Sequence, residues 1–365
     1  MATSPRSPLG ASLDIAGYAA LVLIAVVAGF LYFSDTTESV ALPPRPLPPV
    51  VAVPPESRLD RLTRQARAGD VMSQQQLGQV YYMGMDVTRD YAEGVRWLKM
   101  AAERGDAVAA RLMGFAYRFG NGVVADEAQA VSWWRLAASK GDDVASFEMA
   151  KAYLDGRGVA ESKADALGYC RSAADMGYQH AQLYLGYWYL KGVIVAQSNS
   201  DAFLWLRKSA VQGNSEAQNY LGTMYRDGLS VPPSDSEAIR WFRFAVDHHS
   251  GPGCVSLAWM FSQGRGGSKD ETQANALLLK GAMLGYDSAQ AELARRYVAG
   301  VGLSADSVEG CAWYDVAARG GDSDATIARD GLLKVLSSAQ VSAMRVRSDA
   351  LIAQIKAERT SRRRP

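Results

Sequence analysis

The sequence predicts an all-α fold: an α-solenoid of stacked helix-turn-helix units, preceded by one transmembrane helix. Three observations carry that reading. An anchor residue recurs every 36 residues, seven times, without an insertion. Each block holds two helix signals, both with a stop residue and the second with a start residue as well. Near the N-terminus, residues 15–33 carry no charged side chain.

The elements follow in chain order. Residues 1–14 form a short tail. Nineteen residues, 15–33, reach about 29 Å as a helix, enough to span the hydrocarbon core. The run is longer than the apolar region of a cleaved signal peptide and has no small-x-small site directly after it. Tyr32 suits an aromatic anchor at the interface. The terminal amine, Arg6 and one acid, Asp14, precede the span, whereas Asp35 and Glu38 follow it, and no basic residue appears until Arg45. The positive-inside rule then keeps the N-terminus cytoplasmic and sends the remainder outward. Residues 34–56 form a linker whose Pro43, Pro44, Pro46, Pro48 and Pro49 exclude a helix and favour an extended, semi-rigid spacer.

The repeats begin after a half-unit, residues 57–70, that falls in register with a second helix. The anchor is Leu77, Met113, Met149, Leu185, Leu221, Leu257 and Leu293. A small residue follows it: Gly78, Gly114, Ala150, Gly186, Gly222, Ala258 and Ala294. Four residues beyond the anchor stands an aromatic, from Tyr81 to Tyr297, so the two share a helical face. A glycine three residues later, Gly84 to Gly300, supplies the left-handed stop of helix A. Helix B starts at Asp90, Asp126, Ser162, Ser198, Ser234, Asp270 and Asp306, all residues that accept hydrogen bonds from free N–H groups of a first turn. Seven residues on comes a large side chain: Trp97, Trp133, Tyr169, Trp205, Trp241, Leu277 and Trp313. Their regular spacing marks them as core. Helix B stops at glycine in every unit but the fifth, which has His249. These units span 71–106, 107–142, 143–178, 179–214, 215–250, 251–286 and 287–322. The sixth departs most, with Gly253, Gly267 and Leu277 at positions held elsewhere by Ala, Val and Trp, which predicts a looser contact or a bend. Residues 323–359 read as capping helices, with Ser338 opening a helix whose Val341, Met344, Ile352 and Ile355 cover the last unit. Residues 360–365 form a basic, solvated tail.

The pattern A-x-x-x-L-G-x-x-Y-x-x-G, then Asp or Ser, Trp and A-A-x-x-G, resembles the Sel1-like repeat family, a relative of the tetratricopeptide repeat. The resemblance covers residues 57 to 325. It implies a right-handed solenoid whose A helices line the concave wall. It also implies roles in envelope assembly, polymer export, motility complexes or signalling.

The function follows from what the repeat leaves unspecified. Helix A side chains not dictated by the pattern are the candidate partner-binding surface: Gln75, Gln79, Arg111, Phe115, Arg118, Phe147, Lys151, Tyr187, Asn219, Arg226, Trp259 and Arg295. Aromatic and Arg residues dominate interface energetics, so Phe115, Tyr187 and Trp259 matter most. Packing between adjacent A helices is the competing role for each. The expected partner is a protein; a cell-envelope glycan stacked on the aromatics is the alternative. The 39 basic and 38 acidic residues leave a net charge of +1, which argues against a nucleic-acid partner. No phosphate loop, zinc helix or nucleophile elbow is present, so no enzyme, cofactor or metal is expected. His248-His249 reads as a polar turn rather than a metal site. Cys170, Cys254 and Cys311 lack disulfide or zinc spacing and read as small buried thiols.

Overall fold

The computed structural model describes residues 56–362. The predicted span 15–33, most of the linker and the last residues of the tail lie outside them. Among the described residues there are seventeen helices and no strand, and no helix is long and apolar enough to cross a membrane.

Helix α1 (Arg58–Arg67) is the N-terminal half-unit. The A helices are α2 (Val71–Met83), α4 (Ala107–Phe119), α6 (Asp143–Asp155), α8 (Gln179–Lys191), α10 (Ser215–Asp227), α12 (Gly251–Ser262) and α14 (Asp287–Ala299). The B helices are α3 (Tyr91–Glu103), α5 (Glu127–Ser139), α7 (Lys163–Asp175), α9 (Asn199–Val211), α11 (Asp235–Asp247), α13 (Glu271–Met283) and α15 (Ser307–Gly320). Two further helices, α16 (Ser323–Leu333) and α17 (Ser338–Ser361), close the array.

All seven predicted B-helix caps accept a hydrogen bond from the first turn, as Asp90 does from the Glu93 N–H at 3.0 Å. At the end of α11, His249 adopts φ 61°, the left-handed conformation glycine takes in the other units. The A helices have caps of their own that no repeat motif announced. Asp70, Asp106, Asp142, Asn214 and Ser250 cap with side chains, whereas Tyr178 and Tyr286 do not.

The small residue after each anchor marks the closest contact within a hairpin. A Cβ on Gly78 would fall 2.7 Å from Leu98 Cγ, and one on Gly222 would fall 2.6 Å from the Phe242 ring. Gly114 and Gly186 stand in the same relation to Trp134 and Leu206. This geometry corrects the predicted core. The fully buried B-helix residues are Leu98, Trp134, Cys170, Leu206, Phe242 and Leu278, each one place after the predicted position. Trp133, Tyr169, Trp205, Trp241 and Leu277 are only half-buried, because the residue facing the small A-helix position takes the centre of the contact. Trp97 and Trp313 are buried, in clusters shared with α1 and α17 respectively.

Two other expectations shift. The sixth unit is not loosely packed: a Cβ on Gly251 would meet Tyr286, and one on Gly253 would meet Ala245 at 2.7 Å. Missing side chains there let helices approach, and α12 touches both α10 and α14. The C-terminal helix is capped by Ser337 rather than Ser338, because Gln340 completes a reciprocal capping box with Ser337. Its buried positions are Met344, Ser348, Leu351 and Ile355; Ile352 and Val341 are only partly covered.

Candidate partner-binding groove

Like helices meet on one side of the stack. The A helices touch across units, α2 with α4, α10 with α12 and α12 with α14, whereas B helices of successive units stay further apart. In a curved stack, the side with the closer spacing is the inner one. The unspecified A-helix side chains sit on that side.

The structure divides the predicted residues. Gln75 and Phe147 are buried. Phe147 packs edge-on against Tyr184, with centroids 5.0 Å apart, so it serves A-helix packing. Phe115 is half-buried, between Phe119 at 6.3 Å and Trp134 at 5.5 Å. Tyr187 leans on Tyr220 of the next unit, centroids 5.7 Å apart. Gln79 is half-buried on α2, and Asn219 is half-buried on α10 with its Oδ1 lacking a hydrogen-bond partner. The remainder gather into two polar clusters.

The first lies across α4 and α6. Glu148 is buried and accepts from Arg118 Nη1 at 3.0 Å and from Lys151 Nζ at 2.6 Å. Arg118 also lies 5.4 Å from the Phe119 ring centroid, and Phe119 is 61% exposed. Arg111 pairs with Asp142 at 3.3 Å.

The second cluster spans α10, α12 and α14. Trp259 is 40% exposed, with the Arg226 guanidinium 5.1 Å from its ring centroid and that of Arg265 at 5.8 Å. Arg226 donates to Asp227 at 2.7 and 2.8 Å, and this hydrogen bonding holds the Asp227 carboxyl below its usual range. Arg265 binds Asp235. Beside Trp259 opens a cleft of about 570 Å³ reaching Glu292, Arg295 and Arg296. Arg295 is exposed and donates to Glu292 at 2.6 and 2.8 Å. Arg296 is buried between Glu292 at 3.0 Å and Glu271 at 2.7 Å. Burial alone would raise the Glu292 carboxyl, but hydrogen bonds from both arginines outweigh it and hold that carboxyl low.

The inner wall therefore carries acids, none of them among the predicted residues. Glu148 and Glu292 share one repeat position, the sixth of helix A, and both neutralise neighbouring cations. Sequence reasoning also missed Phe119, Tyr184, Arg265 and Arg296. Variation between units at the sixth and thirteenth helix A positions was the available signal for Tyr184 and Phe119, and Arg296 stands at the tenth, which is apolar in the other units. His248 forms a polar inter-helix contact, its Nδ1 3.1 Å from Gln218 Oε1. The three cysteines are free and buried.

The match to known sequences decides the family: seven Sel1 repeats align with residues 71–106, 107–142, 143–178, 179–214, 215–250, 252–286 and 287–322. This chain belongs to the Sel1 repeat family. Solved structures similar to this Sel1 repeat protein include two from bacteria. A protective antigen present in uropathogenic Escherichia coli strains, displaying an SLR fold, shares 26% identity with a TM-score of 0.60, over 83% of this chain and 72% of that one. A Sel1 repeat protein from Oxalobacter formigenes shares 28% identity with a TM-score of 0.60, over 75% of this chain and 79% of that one. No curated protein matches. Solenoids of this type are protein-interaction scaffolds.

Proposed function

We propose that this Sel1 repeat protein is a membrane-anchored scaffold whose repeats stand outside the cytoplasmic membrane and grip a partner protein along the A-helix face. The charge-free run at 15–33 and the basic residue preceding it support the anchor and its orientation. Trp259 carries the binding reading. A large aromatic, part exposed and flanked by two guanidinium groups beside a cleft, has the composition of an interface hot spot. Its arginines are already ion-paired, so their planes are held against the ring before a partner arrives. That lowers the entropy lost on binding. The work is recognition; no catalytic step belongs to this reading.

The test is photo-crosslinking in intact membranes from a reactive group placed at Gln263, which lines the same cleft. One protein partner should be captured, and Trp259→Ala should cut the yield by about tenfold with helicity unchanged, a loss of about 1.4 kcal/mol. Capture of a glycan in place of a protein, or a yield indifferent to Trp259→Ala, would reject protein recognition at this site. A reporter fused to the C-terminus should be active only outside the cytoplasm; cytoplasmic activity would overturn the topology alone.

A further inference from the structure

A second cleft, which shares α14 but no lining residue with the Trp259 cleft, is exposed by comparing units in register. The fourth residue of helix A is glutamine in four units, and its amide has two parts to satisfy. Nε2 donates to a carbonyl of the preceding B helix: Gln74 to Ala66 at 3.1 Å, Gln182 to Ala174 at 3.0 Å, Gln218 to Ala210 at 3.0 Å and Gln290 to Ala282 at 3.1 Å. Oε1 then requires a donor. In the fourth unit Gln212 Nε2 supplies it at 2.8 Å, and in the fifth His248 Nδ1 does so at 3.1 Å. His248 Nδ1 also faces the Phe244 carbonyl at 2.9 Å; with acceptors on both sides, this nitrogen carries the proton. Both donors come from the end of the same unit's B helix, 30 residues after the glutamine.

The seventh unit breaks this arrangement. The residue in register with Gln212 and His248 is Gly320, which has no side chain to offer. Gln290 is 2% exposed, and its Oε1 has no hydrogen-bond partner. Gln74 Oε1 is also unmatched, since Arg104 donates to the Gly69 carbonyl instead. What distinguishes Gln290 is its surroundings. It lines a cleft of about 640 Å³ walled by α14, the end of α15 and α17. The Asp287 carboxylate lies against Gly320, in the room a side chain there would take. From α17, Lys356 and Arg359 line the same cleft, and neither forms an ion pair among the described residues. The Arg359 guanidinium carbon stands 3.2 Å from where a Cβ on Gly285 would lie. Arg319 is also present but is engaged by Asp315 and Asp349, each at 2.8 Å. Val316, Ile352 and Ile355 add an apolar wall.

We infer that this cleft binds a small zwitterion of the α-amino acid or dipeptide class. Its ammonium lies between Gln290 Oε1 and the Asp287 carboxylate, and its carboxylate lies on Lys356 and Arg359. An aliphatic side chain rests on Val316, Ile352 and Ile355. Two neighbouring acceptors, one of them deeply buried, call for a charged donor. Lys356 and Arg359, in no ion pair among the described residues, suit an anion. A phosphate would satisfy only the cations and would set its charge beside two acceptors; a metal ion would face Lys356 and Arg359. The volume lies within the range of small-molecule sites.

The experiment is calorimetry on the purified full chain with four probes: the dipeptide Ala-Leu, its N-acetylated form, its C-terminal amide and inorganic phosphate. Ala-Leu should bind at least about tenfold tighter than either capped form and than phosphate. The pair Lys356→Ala/Arg359→Ala, both exposed on α17, should weaken Ala-Leu by a similar factor while leaving the C-terminal amide unchanged. The pair Asp287→Ser/Gly320→His reproduces the fifth unit, where Ser215, Gln218 and His248 occupy these positions. It should abolish binding with helicity retained. Equal binding of capped and free dipeptide, phosphate binding as tight as Ala-Leu, or no heat with any probe at about 10 mM, where even millimolar affinity registers, would overturn the inference.

Discussion

Cys170, Cys254 and Cys311 have no accessible surface and no sulfur partner. Burial pushes the Cys170 thiol up to about 12, and it pushes Cys254 up to about 11 despite the nearby Lys280. A thiol whose pKa is raised by folding keeps its proton in the native state while the unfolded chain loses it. Native stability is therefore whole below the unfolded value of about 8.5 and falls as pH rises above it, by up to about 1.4 kcal/mol per unit for each such thiol. Urea melts should show a lower midpoint at pH 10 than at pH 8. A thiol-reactive dye at pH 8 should label Cys170 only after denaturant is added. Immediate labelling of the native chain would mean that this contact is open. The burial of these thiols was legible in the sequence, because isolated cysteines at helix-contact positions have one economical role. Glu148 was not legible. Its partner Arg118 lies 30 residues away, and only the approach of α4 to α6 brings them together.

At the scale of the helix, glycine has opposite consequences at two sites. Gly222 lies on α10 where any Cβ would press on the Phe242 ring at 2.6 Å. Gly168 is exposed within α7, and a Cβ added there would meet nothing within 4 Å. Gly222→Ala should therefore destabilise by about 1–3 kcal/mol through overpacking. Gly168→Ala should stabilise by about 0.5–1 kcal/mol, because a mid-helix glycine costs backbone entropy and gives no packing in return. Chemical denaturation of the two variants reads both signs. Two shifts in the same direction would show that the hairpin contact is not where the glycine register puts it. Helices, their order and their B-side caps could be read from the 36-residue pattern because each depends on a few neighbouring residues. The inward residue of helix B could not. Leu98, Trp134 and Phe242 sit one place after the repeated aromatic, and helix rotation within the hairpin selects between the two.

At the scale of the molecule, each unit contacts its neighbours, so stability accumulates along the stack and its ends depend on what covers them. The two covers are unequal. Helix α1 has ten residues and buries Leu62 and Ala66. Helix α17 has 24 residues and buries Met344, Leu351 and Ile355 in one cluster with Trp313 and Leu293. It also binds α15 through polar contacts: Arg347 donates to Glu309 at 2.7 and 2.9 Å, and Ser348 to Asp315 at 2.5 Å. Burying three such side chains contributes about 5–8 kcal/mol, enough to hold a terminal hairpin that is marginal alone. A chain ending at Leu336 should lose amide protection through α14, α15 and α16 while α4 to α9 stay protected, as read by hydrogen exchange. Removing residues 1–69 should fray only the first hairpin, and by less. If loss of α17 instead lowered protection evenly from α2 to α16, the repeats would unfold as one body. The nearest-neighbour picture of its stability would then fail.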